Sequence, residues 1–71
     1  MRYHGVDLHK KYVTVSIRDD SGAQIAFMGR EADIAAYVGR LTVEDVVGLE
    51  ASAGALYWAE RIAERGACCV V

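Results

Sequence analysis

Short apolar stretches alternate with polar turns along the whole chain, and the period of the alternation changes as it goes. From Tyr3 to Leu8 an apolar segment runs up to the polar His9-Lys10-Lys11. Tyr12 to Ile17 then alternates strictly, with Val13, Val15 and Ile17 on one side and Tyr12, Thr14 and Ser16 on the other. A period of two carried by β-branched residues predicts a strand, because successive side chains of extended backbone point to opposite faces. Arg18-Asp19-Asp20-Ser21-Gly22 has turn composition, and Gln24 to Met28 resumes the extended pattern. Short connections between such strands predict an antiparallel meander that ends at Gly29.

Beyond Gly29 the period lengthens. Ile34, Tyr37, Val38 and Leu41 fall on one helical stripe, which predicts a helix over 31–41. Glu31 and Asp33 in its first turn and Arg40 in its last suit the helix dipole, while Gly39 weakens it slightly. Asp45 to Leu49 reads as a buried strand. Ser52 is placed as the N-cap of a second helix whose inward face is Leu56, Ala59, Ile62 and Ala63. Gly66, after Arg65, closes that helix, and Ala67 to Val71 begins a last strand. The fold class is α/β, in the order β-β-β-α-β-α-β. The helix over 31–41 is a crossover long enough to return the chain for a parallel strand. If that fourth strand lands beside the first, the sheet is mixed with order 3-2-1-4-5, and the preference for right-handed crossovers prunes the alternatives. No repeat or linker interrupts residues 1–71, which read as one domain. The chain stops inside its last apolar strand, which leads to the expectation of a truncated domain.

Composition narrows the function classes. Seventy-one residues lie near the lower limit for a self-sufficient core, and an apolar fraction of 54 % excludes a disordered tail. No apolar run approaches the roughly eighteen residues of a membrane span, and the start lacks a signal peptide's apolar block, so a cytoplasmic protein with no membrane partner is expected. A net charge of −2 argues against nucleic-acid binding by bulk electrostatics, though not against a nuclease that gathers carboxylates at its site. The neighbouring Cys68 and Cys69 are poorly placed to bridge each other and too few for a zinc site, so both read as buried, reduced strand thiols.

The predicted sheet order brings two acids together. Asp7 closes the first strand and Glu50 follows the fourth; if those strands are parallel neighbours, about 4.8 Å apart, both carboxylates reach one cation. Ligands of open α/β sheets bind at such strand ends. Oxygen donors in pairs suit Mg²⁺ or Mn²⁺, and two-metal phosphoryl transfer needs three or four carboxylates, of which this chain offers two. Taken singly, Asp7 reads more readily as a polar strand end and Glu50 as a helix-entry acid. Taken together, as acids directly after neighbouring strands, they read equally well as a metal site. His9, two residues after Asp7, faces the same side and either orients a phosphate or is a surface loop residue. Lys10 and Lys11 either contact nucleic-acid phosphates or solubilise a turn. Tyr57 and Trp58 either stack on bases or pack in the core. Arg61 and Arg65, set against Glu60 and Glu64, read as a solvated helix face.

Gly5-Val6-Asp7-Leu8-His9-Lys10-Lys11, followed by Tyr12-Val13-Thr14-Val15, resembles the opening of the DEDD-type transposases of bacterial insertion sequences, the family that includes the Piv pilin-gene invertases. Val47-Gly48-Leu49-Glu50-Ala51-Ser52-Ala53-Gly54, with Tyr57-Trp58 after it, is similar to that family's Leu-Glu-Ala-Thr-Gly-Gly stretch and aromatic helix. Ser52 stands for the usual Thr, keeping a hydroxyl that could cap the helix, and Ala53 for the first Gly, where it could tighten the turn after Glu50. The resemblance spans nearly the whole chain. It implies the amino-terminal portion of a RuvC-like catalytic domain with an RNase H-like fold, Asp7 and Glu50 as the first two catalytic and metal-binding acids, and Mg²⁺ or Mn²⁺ as cofactor. It further implies DNA as substrate, a guide RNA in some members, and a homo-oligomer in the full-length protein. The family's Asp-x-x-Asp pair and serine-bearing carboxyl-terminal domain have no counterpart here. Three alternatives remain. An ATPase of the actin, heat-shock and sugar-kinase superfamily shares the strand order, but its phosphate turn carries Gly where this chain has Leu8-His9-Lys10-Lys11. A RuvC-type junction resolvase shares the chemistry, but its Gly soon after the first acid is missing. The third is a non-catalytic remnant or a scaffold that dimerises through an edge strand.

Overall fold

In the computed structural model, which describes residues 1–52 and 54–71, the strands are β1 (Arg2–Leu8), β2 (Tyr12–Asp19), β3 (Gln24–Arg30), β4 (Asp45–Leu49) and β5 (Cys68–Val70). A 3-10 turn at Glu31–Asp33 leads into α1 (Ile34–Gly39), and α2 spans Ala55–Glu64. The anticipated element order is found, and the strands form one mixed sheet in the order β3-β2-β1-β4-β5. β1 pairs antiparallel with β2 and parallel with β4, so the central strand joins the meander to the crossover half. None of the described helices is long and apolar enough to cross a membrane.

The core lies between one face of the sheet and the two helices. Val6, Val13, Val15, Val47 and Leu49 share the inward parity of their strands and are buried against Ile34, Val38, Leu41 and Ile62. Each such side chain contributes about 1.5–3 kcal/mol through the apolar surface it removes from water. The opposite face stays open: Tyr3, Ser16, Met28 and Val70 all stand exposed on it.

Several local expectations are corrected. Gly29 does not end the meander; β3 runs on to Arg30. The helix expected over 31–41 shortens to the 3-10 turn and a six-residue α1, its stripe nonetheless buried at Ile34, Val38 and Leu41. Ser52 is not the N-cap of α2. That position belongs to Gly54 in the left-handed region at φ 87°, and the Ser52 carbonyl accepts the Ala55 N–H at 3.1 Å. The later start turns the helix: Ala55, Trp58, Ala59 and Ile62 face the core, while Leu56 is 75 % exposed. The turn-tightening expected of Ala53 lies outside the described residues. Cys69 is half-buried as a free thiol, but Cys68 is exposed on the open face. Arg61 pairs with Glu64 at 2.8 Å and lies over the Tyr57 ring, whereas Arg65 Nε instead donates to the Leu41 carbonyl at 3.4 Å.

Candidate functional site

Parallel pairing of β1 with β4 decides where the two acids go. Val6 lies opposite Leu49, so the next step along both strands sets Asp7 beside Glu50. The Glu50 N–H donates to the Val6 carbonyl at 3.1 Å, which carries the ladder one residue beyond β4 and fixes Glu50 at that level. Strand alternation then aims both carboxylates away from the helices, on the open face of the same rim. The Glu50 carboxyl is raised above its ordinary range, first by its hydrogen bond with Asp7 and then by the Asp7 charge, against the opposing pull of His9. Two carboxylates this close favour one shared proton, or a cation, over two bare negative charges.

His9 comes round the β1–β2 turn to the same side. Its Nε2 lies 3.0 Å from Asp7 Oδ2, and its ring stacks on Tyr12 with centroids 4.2 Å apart. An ionised carboxylate only accepts, so this geometry has the ring N–H donating and holds Asp7 in one orientation. Leu8, His9, Lys10, Glu31 and Ser52 line an open depression of about 500 Å³ at this rim. Lys11 is exposed in the turn, and its carbonyl accepts the Glu31 N–H at 3.3 Å. Asp7, Glu50, His9, Lys10 and Ser52 thus gather at one end of the sheet. Among the described residues no group of three or more His, Cys, Asp or Glu side chains is arranged to hold a metal ion. The Asp7–Glu50 pair fits one hard divalent cation as two oxygen donors, with the remaining positions left to water and substrate oxygens. Asp7 and Glu50 would hold it.

At the opposite rim lies a polar cluster that pattern reading missed. Asp45, 2 % exposed, accepts from Arg2 Nε at 2.7 Å and from the Thr42 N–H at 2.9 Å, and stands 2.8 Å from His4 Nε2. The Tyr37 hydroxyl meets the other ring nitrogen of His4 at 2.7 Å. Burial works against the Asp45 charge, but Arg2, the Thr42 N–H and His4 outweigh it and hold the carboxyl well below the usual carboxylate range. Burial foremost, then the Asp45 charge, raises the Tyr37 hydroxyl far above its ordinary value. The signal was strand parity: Asp45 shares the inward side with Val47 and Leu49, and His4 shares it with Val6.

No protein-family model matches the chain, and no curated protein matches it.

Proposed function

We propose that this chain is the amino-terminal part of an RNase H-like catalytic domain that cleaves and rejoins DNA strands, with Asp7 and Glu50 as its first two metal-binding acids. The observation that carries the reading is the meeting of those carboxylates at the tips of adjacent parallel strands. A divalent ion bound there would lower the pKa of an attacking water and neutralise charge on a scissile phosphate. The chain's own residues do the rest. Asp7 and Glu50 would hold the cation, and the closeness of their carboxylates favours a cation between them. His9 restrains Asp7 by the 3.0 Å contact. Lys10 and Lys11, projecting from the adjoining turn, supply positive charge for backbone phosphates without reading sequence. The wider resemblance of the Gly5–Lys11 and Val47–Gly54 segments to DEDD-type transposases supports DNA as the substrate class and transposition as the reaction. Oligomerisation of the full-length protein and an RNA guide belong to the same proposal.

With two protein ligands, affinity for Mn²⁺ is expected near the weak end of carboxylate sites, with Kd of about 1 mM. Paramagnetic line broadening of the full chain by Mn²⁺ should centre on Asp7 and Glu50 and vanish in the double variant Asp7→Asn, Glu50→Gln. A single-stranded DNA oligonucleotide should bind more tightly when Mg²⁺ is added. Broadening centred elsewhere, or unchanged in the double variant, removes the metal site. Mg²⁺-dependent binding of ATP in preference to DNA would move the chain to the ATPase class.

A further inference from the structure

We infer that two copies of this chain associate through β3, strand against antiparallel strand, so that their sheets become one. The backbone ladder shows which groups are free for this. The Asp19 N–H bonds to the Ala23 carbonyl, and the Glu31 N–H to that of Lys11. With the β2–β3 register, these bonds mark Ile25, Phe27 and Gly29 as the β3 residues whose backbone groups turn toward β2. The N–H and C=O groups of Gln24, Ala26, Met28 and Arg30 therefore point outward.

That edge carries few of the devices that keep edge strands apart. It spans seven residues without Pro, Lys or Asp, and Ile25, Phe27 and Met28 are 61 %, 43 % and 68 % exposed. At the other edge of the sheet β5 spans Cys68–Val70. One outward donor of β3 is already taken: the Arg30 N–H donates to Asp33 Oδ2 at 2.8 Å. Pairing is thereby confined to Gln24, Ala26 and Met28.

The open segment is complementary to itself. With Ala26 opposite Ala26 of the partner subunit, Gln24 pairs with the partner's Met28, and every hydrogen-bonded pair uses only the free groups. Ile25 then faces Phe27 of the partner subunit in the non-hydrogen-bonded positions, where side chains of antiparallel strands approach most closely. Both are the exposed apolar residues of the covered side, so each removes the other from water. A two-fold pair of this kind is closed, since each copy uses the same edge for the other. A single strand pair is a small interface, so the dimer is expected to be weak and to dissociate on dilution.

Light scattering on the full chain should give the mass of two copies when concentrated and of one when dilute. Ala26→Pro removes an outward donor at a position where an edge strand tolerates proline, so it should stay monomeric with unchanged circular dichroism. Ala26→Lys should act likewise, because residue 26 faces its own copy and like charges would meet at the centre of the joint. In a Cys68→Ala, Cys69→Ala background, Ala26→Cys should cross-link on oxidation and Met28→Cys should not, since only the first residue faces its own copy. A monomer at every concentration, a dimer that survives both Ala26→Pro and Ala26→Lys, growth beyond two copies, or cross-linking at 28 in place of 26 overturns the inference. None of these outcomes bears on the metal site, which sits at the far end of another strand.

Discussion

Asp7 beside Glu50 raises the Glu50 carboxyl above its ordinary range, which makes the closeness of the two acids measurable without any activity. Asp7→Asn removes the neighbouring charge, so the Glu50 carboxyl should titrate at lower pH than in the wild type, followed by the chemical shift of its carboxyl carbon. A Glu50 carboxyl that titrates identically in both proteins separates the two acids. The sign for stability follows. A folded carboxyl pKa raised above its unfolded value favours the folded state at low pH, and that advantage is lost as pH rises through the raised value. Asp7→Asn should accordingly raise the thermal midpoint at neutral pH and leave it nearly unchanged in acid. His9 acts on the same pair from the other side, holding one Asp7 oxygen at 3.0 Å. Its replacement by Ala should loosen Asp7 while leaving both acids on the rim.

Asp45 does its work between elements, tying the start of β1 through Arg2 and His4 to the start of β4, and through His4 and Tyr37 to α1. Asp45→Asn leaves Arg2 and His4 with a weaker acceptor at a buried position, and should cost about 2–3 kcal/mol in denaturant unfolding. The half-exposed Arg2 keeps the cost below that of a fully buried pair. Because the folded Asp45 pKa is depressed, its contribution is present above the ordinary carboxylate range and lost as pH falls below about 4. Wild-type stability should therefore drop more steeply with acid than that of Asp45→Asn; parallel curves would mean that Asp45 is not held ionised. At the end of α2, Gly66 at φ 84° donates its N–H to the Ala63 carbonyl at 2.9 Å. A Cβ there would meet the Val43 side chain at 2.9 Å, so Gly66→Ala should lower stability by about 1–2 kcal/mol.

Element order and strand phase were legible because β-branched residues alternate without error in β2, and because a meander followed by a crossover leaves few sheet orders. Helix detail was not: Ser52 offered a capping hydroxyl, yet a left-handed Gly54 starts α2 later and turns its apolar stripe by a residue. Placing Asp7 and Glu50 at one rim needed only the sheet order, whereas the Asp45 cluster depends on contacts between residues some forty positions apart. The whole sheet makes one more demand, which amide exchange can test. β1 bonds on both sides, its odd positions to β2 and its even positions to β4, as the Tyr12–His9 and Val6–Glu50 bonds require. Its amides should be the slowest to exchange. β3 bonds on one side only, so protection along it should alternate: Ile25, Phe27 and Gly29 slow, Gln24, Ala26 and Met28 fast in dilute protein. Raising the concentration should slow the fast set alone. Uniform protection along β3 in dilute protein would contradict its place at the edge, and slow exchange confined to Gln24, Ala26 and Met28 would reverse the β2–β3 ladder.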